Sequence, residues 1–317
     1  MKQFCQNIKI IFIGTPEFGA IILEEMIRNK YKPVLVVTAP DKPVGRKQII
    51  TPPPVKIMAQ RYGISVSQPE KLSIIINQLS LLKPDLIVVA AFSQILSKKI
   101  LDIPKYGCIN VHPSLLPKYR GPSPIQYAIL NGDKETGTTI ILMDEKMDSG
   151  PILTQRKTEI KIKETALEFH GRLAHLGSEL LIETLPQWIE GKIKIKPQDE
   201  ARASYTKILK KEDGKIDWQK SAEEIERQIR AFSPWPSTFT SYKGKKLKIL
   251  KVSVLEKAET ASSALAGKTF LSSENKTAVH CGKGDLIIEE LQIEGKRKMT
   301  SEEFLRGHQD FIKTILG

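Results

Sequence analysis

Three nearly continuous apolar runs set what this chain can fold into. Ile8–Gly14 (IKIIFIG), Val34–Thr38 (VLVVT) and Asp85–Ala91 (DLIVVAA) are rich in β-branched residues and lack polar alternation. Strands of this kind are buried on both faces, as in parallel sheets covered by helices. Between the first two runs, a turn at Gly14–Gly19 and helical periodicity over Glu17–Lys30 complete a βαβ unit. The turn reads GTPEFG. It lacks the middle glycine of a dinucleotide fingerprint, and Pro16 stands where the backbone would approach a pyrophosphate. The phosphate-cradling pattern G-x-x-x-x-G-K-S/T does not occur either, so neither a nicotinamide nor an ATP site is expected.

The chain has 317 residues, enough for two cores. Thr165–Ile189 reads as a long amphipathic helix closing a first domain, residues 1–190. The polar, basic stretch 191–205 reads as a linker. Beyond it the pattern changes to a helix at Ala222–Phe232 and short alternating runs, Leu247–Val254, Thr277–Cys281 and Leu286–Ile293. Many short strands separated by turns suggest a small antiparallel barrel over residues 206–317.

The formal net charge is +13, which suits an anionic partner, nucleic acid before acidic membrane. A lysine-rich solvated surface would give the same number. Cys5, Cys108 and Cys281 are odd in number and scattered, with neither metal-ligand nor disulfide spacing. They fit a reducing cytoplasm, and no metal is expected. Ile8–Gly14 is too short to span a bilayer and reads as a first strand rather than a signal peptide.

Candidate chemistry concentrates in Gly107–Gly121, GCINVHPSLLPKYRG. Asn110 and His112 lie two residues apart, so on an extended backbone both point to one face. Pro113 and Pro117 then stop the ladder and stiffen a loop. An Asn amide can donate to an oxyanion, an imidazole can move protons at neutral pH, and a carboxylate such as Asp148 can orient it. No Ser or Cys offers a clear nucleophile. Direct transfer of an acyl group to an amine needs none, only positioning, an oxyanion donor and a proton shuttle. Phe92 and Ile95 follow a strand end and could line an apolar pocket. Ala39–Pro54 holds five prolines with Lys42, Arg46 and Lys47; so long a loop is expected to be functional, its cations meeting phosphates.

The pattern Asn110-x-His112-x-Ser114-Leu115-Leu116-Pro117-x-x-Arg120-Gly121, with Asp148 in MDEKMDSG, resembles the signature of the 10-formyl-tetrahydrofolate-dependent formyltransferases. IIFIGTPEF, TAPDKPVGR, PPPVK and RAFSPWP, with IDW upstream, narrow the resemblance to the family acting on methionyl-tRNA, along essentially the whole chain. It implies an α/β fold, a Rossmann-like parallel-sheet formyltransferase domain followed by a small OB-like β-barrel domain that helps hold tRNA. It implies Asn110, His112 and Asp148 as catalytic groups and Ser114, Leu115, Leu116 and Pro117, with Phe92 and Ile95, beside the formyl donor. Arg46, with Lys42 and Lys47, would enter the acceptor-stem end of initiator methionyl-tRNA. The expected enzyme is a cytoplasmic monomer, bacterial-type or in an organellar matrix, with no membrane partner. Two positions depart from the family pattern. Pro113 stands where glycine is also common, and Phe92-Ser93 replaces the usual aromatic-glycine pair. Other readings are a formyltransferase for a small amine, a non-catalytic RNA-binding protein, and a dehydrogenase, against which the GTPEFG turn speaks.

Overall fold

The computed structural model describes residues 8–45, 47–255 and 265–317. They form two compact units. One runs to Pro124 and adds Glu135–Glu159 and His170–Lys207; the other comprises Ile125–Lys134, Ile160–Phe169 and Ile208–Gly317.

In chain order the first half contains β1 (Ile10–Gly14), α1 (Glu17–Arg28), β2 (Leu35–Val37), β3 (Lys42–Val44), β4 (Ile49–Thr51), α2 (Pro54–Arg61), β5 (Val66–Ser67), α3 (Ile76–Leu82), β6 (Leu86–Ala90) and α4 (Lys98–Leu101). Then come β7 (Cys108–His112), α5 (Pro124–Leu130), β8 (Glu135–Leu142), β9 (Ile152–Glu159) and α6 (Ala166–Ile189). The first unit is built on a seven-stranded sheet of order β5-β2-β1-β6-β7-β8-β9. The strands from β5 to β7 are parallel, while β8 and β9 run antiparallel to their neighbours. Every residue of β1, β6 and β7 is buried, as uninterrupted apolar runs require in a sheet covered on both faces. The two glycines of GTPEFG have a packing reason. A Cβ on Gly14 would stand 2.6 Å from the Ala90 carbonyl oxygen, and one on Gly19 would stand 2.9 Å from the same atom. They let the start of α1 sit against the end of β6.

Residues 39–54, expected as an irregular loop, instead contain the antiparallel hairpin β3–β4, with Val44 opposite Ile49 and Lys42 opposite Thr51. Its base is tied down. Lys56 Nζ lies 2.7 Å from Asp41 Oδ2, and Gln68 Nε2 donates to Asp41 Oδ1 at 2.7 Å. Those two bonds, Gln68 first, hold the Asp41 carboxyl below its ordinary range. Lys42 and Lys47 are exposed, and Val44, Ile49 and Ile50 are each more than half exposed. Arg46 lies outside the described residues.

The second unit holds α7 (Ala222–Ala231), β10 (Thr238–Tyr242), β11 (Lys245–Val254), β12 (Thr269–Leu271), β13 (Thr277–His280), β14 (Asp285–Ile293), β15 (Met299–Thr300) and α8 (Ser301–Gly307). The sheet is antiparallel, ordered β10-β11-β14-β13-β12, with β15 on β14. Its two end strands, β10 and β12, do not pair with each other among the described residues. Alternation on β11 turns Leu247 and Ile249 into a core with Trp218, Ile225, Leu291 and Phe304, and leaves Lys246 and Lys248 outward. Capping boxes, Ser221 with Glu224 and Thr300 with Glu303, start α7 and α8.

Candidate active site

Strand β7 places the first two groups. Asn110 lies between Val89 of β6 and Ile141 of β8, and His112 ends the strand opposite Thr139. Alternation sends both side chains to one face, where they are 9% and 4% exposed. Asp148 comes from the connection between β8 and β9 and meets both. Asn110 Nδ2 donates to Asp148 Oδ1 at 3.3 Å, and His112 Nδ1 lies 3.6 Å from Asp148 Oδ2. The backbone N–H of Gly121 donates to Asp148 Oδ2 at 2.7 Å. His112 Nε2 lies 2.9 Å from the Tyr119 carbonyl oxygen. A carbonyl only accepts, so Nε2 carries a proton and Nδ1 is the nitrogen that accepts or holds the second one beside Asp148. Cys108, on the same strand, is no rival nucleophile, because burial pushes its thiol up to about 12.

The loop after His112 is locked from two sides. Ser114 is fully buried, and its Oγ donates to the Lys118 carbonyl at 2.6 Å. Thr139 Oγ1 donates to the Ser114 carbonyl and accepts from the Leu116 amide. Gln155 Nε2 donates to the Leu116 carbonyl at 2.8 Å. Leu116 packs with Ile141 and Ile152, while Leu115 and Pro117 are half-buried. On the other side, the Tyr119 amide donates to Ser204 Oγ, the Arg120 amide to the Ser204 carbonyl, and the Thr206 amide to the Arg120 carbonyl. Phe92 packs against the core of β1, β2 and β6, whereas Ile95 is 66% exposed.

Arg120 belongs to the recognised pattern, but the partners through which it holds this site carried no signal in the sequence. Arg120 is 1% exposed, and its guanidinium donates to Gln198, Glu200 and Tyr205. Gln198 in turn donates to the carbonyls of Asp148 and Gly150. A Cβ on Gly150 would stand 1.9 Å from the Leu142 carbonyl oxygen, so that position of the Asp148 loop admits only glycine. Thr139 and Gln155 could have been suspected from their in-strand polarity. The polar stretch around Gln198 has no periodicity to read.

Hydrogen bonding to Arg120 holds the Glu200 carboxyl below its ordinary value of 4.5. A depressed carboxylate contributes stability that is present above the unfolded value and lost as pH falls through the folded one. Glu200→Gln is therefore expected to melt below wild type at neutral pH, with the difference closing as pH drops below 4.5. Melting curves across that range check it; a difference independent of pH would contradict the pairing.

The formyl transferase family model matches residues 7–185, and the model of the formyl transferase C-terminal domain matches residues 208–309. Fold and site thus define a formyl transferase. Methionyl-tRNA formyltransferase of Bacillus velezensis is 46% identical over 98% of this chain and 98% of its own. That of Enterococcus faecalis is 47% identical over 94% and 96%. This chain belongs to the methionyl-tRNA formyltransferase family. Among solved structures, an N-formyltransferase of Helicobacter canadensis, crystallised with folinic acid and dTDP-3-aminofucose, shares the fold. Its TM-score is 0.66 at 24% identity over 89% of this chain and 98% of that one.

Proposed function

We propose that this chain transfers the formyl group of 10-formyl-tetrahydrofolate to the free α-amino group of initiator methionyl-tRNA, giving N-formylmethionyl-tRNA for translation initiation. The observation that carries this reading is the convergence of Asn110, His112 and Asp148 at the end of β7. An amide, an imidazole nitrogen and a carboxylate on one face suit a folate-borne formyl group: they can polarise its oxygen and move one proton. The loop Ser114–Pro117 borders the donor, as Leu115 and Pro117 keep part of their surface open. Phe92 and Ile95 belong to the outer wall of that pocket.

An α-amino group has an ordinary pKa of about 7.7–8.0, so a useful neutral fraction exists near pH 7. When the amine nitrogen adds to the formyl carbon, negative charge develops on the formyl oxygen. Asn110 has two amide hydrogens. Asp148 takes one, which leaves the other for that oxygen. His112 Nδ1, once protonated, is the second donor. The amine must lose a proton and the departing folate nitrogen must gain one. The His112–Asp148 pair relays it, with Nε2 anchored on Tyr119.

The stretch 39–54, which holds the hairpin β3–β4 and the cations Lys42, Arg46 and Lys47, serves the acceptor end of the tRNA. Removing two phosphate-binding lysines lowers the salt slope of binding by about two. Lys42→Ala combined with Lys47→Ala is expected to raise KM for charged tRNA and flatten its salt dependence, with KM for the formyl donor unchanged. Unchanged tRNA kinetics would remove the hairpin from recognition. A monomer in the cytoplasm goes with this reading; among the described residues no helix is long and apolar enough to cross a membrane. The whole reading is tested by incubating the protein with 10-formyl-tetrahydrofolate and charged initiator tRNA. Formylmethionyl-tRNA and tetrahydrofolate should appear in equal amounts, and a donor consumed without formylated tRNA would contradict it.

A further inference from the structure

We infer that Gln198, aimed by the buried guanidinium of Arg120, is a positioning residue that holds Asp148 against Asn110 and His112. The inference rests on the catalytic reading of Asp148. Asp148 has a positive φ of 51°, a left-handed conformation that costs a non-glycine residue free energy and persists only where its surroundings impose it. The imposing contact comes from 50 residues further along the chain. Gln198 Nε2 donates to the Asp148 carbonyl at 2.8 Å and to the Gly150 carbonyl at 2.7 Å. Both amide hydrogens are thus spent on one turn.

The orientation of this amide is not ambiguous. Arg120 Nε and Nη2 approach the other end of the side chain at 3.0 and 2.9 Å. A guanidinium only donates, so the atom facing it must be the Gln198 oxygen, and the nitrogen must face the two carbonyls. All four hydrogen-bonding positions of the amide are filled. Arg120 itself cannot turn away: it is 1% exposed, and Glu200 and Tyr205 take its remaining hydrogens.

The same stretch also reaches the carboxylate. Gly121, next to Arg120, donates its backbone N–H to Asp148 Oδ2. Arg120-Gly121 thereby controls both ends of Asp148, the main chain through Gln198 and the side chain through Gly121. Oδ1 is left for Asn110, and Oδ2 also faces His112. Neither Arg120 nor Gln198 needs to touch substrate for this role.

Two substitutions test it. Gln198→Glu keeps an acceptor for Arg120 but replaces both donors with an oxygen facing two carbonyls. Gln198→Met keeps the length and removes every hydrogen bond. Both are expected to lower kcat about 100-fold, the scale of a 1 Å misplacement of a catalytic group, with KM for the formyl donor and for charged tRNA unchanged. Asp148→Asn serves as the reference. If Asp148→Asn loses turnover while both Gln198 variants turn over as wild type, the positioning role is wrong and the catalytic reading stands. If Asp148→Asn turns over normally, the catalytic reading fails first. A fall in kcat that comes with matching losses of donor affinity and melting temperature would mark a merely structural brace and would also overturn the inference.

Discussion

Asn110→Ala is expected to lower kcat by about 10²–10³-fold, the loss typical of one oxyanion donor, or about 2.7–4 kcal/mol of transition-state stabilisation. KM for the formyl donor should stay near that of wild type, because the amide contributes most when charge develops on the formyl oxygen. The geometry favours a large effect. Asn110 sits within a buried strand between β6 and β8, so its amide is fixed before substrate arrives. One of its hydrogens is already committed to Asp148, which sets the direction of the other. Asn110→Asp makes a sharper companion. It keeps the size but replaces the donor with a second carboxylate beside Asp148, and it should be at least as damaging. Steady-state kinetics with both substrates varied decide the matter. Weaker tRNA binding with normal turnover would contradict the role.

His112→Ala should lower kcat by about 10²–10⁴-fold, the range for a positioned acid–base group. The tie from Nε2 to the Tyr119 carbonyl leaves Nδ1, next to Asp148, as the nitrogen open to exchange a proton. His112→Gln separates anchoring from chemistry. Its amide can still donate to Tyr119 and hold the Ser114–Pro117 loop, yet it cannot take up a proton near neutrality. Donor affinity should therefore survive in His112→Gln while turnover does not. If His112→Gln works as wild type, the imidazole is an anchor and the proton relay is elsewhere.

What could be read in the residues follows from which physical signals are local. β1, β6 and β7 were legible because a strand buried on both faces must be apolar throughout. Asn110 and His112 were legible as a pair because period-two alternation is a property of one strand. Asp148 is different. Nothing in MDEKMDSG marks it as the partner of β7 apart from family resemblance, since the meeting is made by sheet order. The hairpin β3–β4 was hidden by its prolines and cations: its pattern reads as a loop until the two arms are seen to pair. Strands β10, β12 and β15 and helix α8 went unread, being two to seven residues long and shaped by their neighbours. Ile95 shows the limit of hydropathy, for an apolar residue at a strand end can still lie mostly in solvent. The Arg120–Gln198 brace lay furthest from view. It joins residues 78 positions apart through side chains whose polarity alone suggests a solvated connector.

The most direct measurement is formyl transfer from 10-formyl-tetrahydrofolate to charged initiator methionyl-tRNA, with charged elongator methionyl-tRNA and a small free amine run beside it. The account predicts rapid transfer to the initiator, much slower transfer to the elongator and none to the free amine, with the initiator rate lowered about 10²–10³-fold in Asn110→Ala. Saturable transfer to the free amine without tRNA, or an initiator rate unchanged in Asn110→Ala, would contradict it.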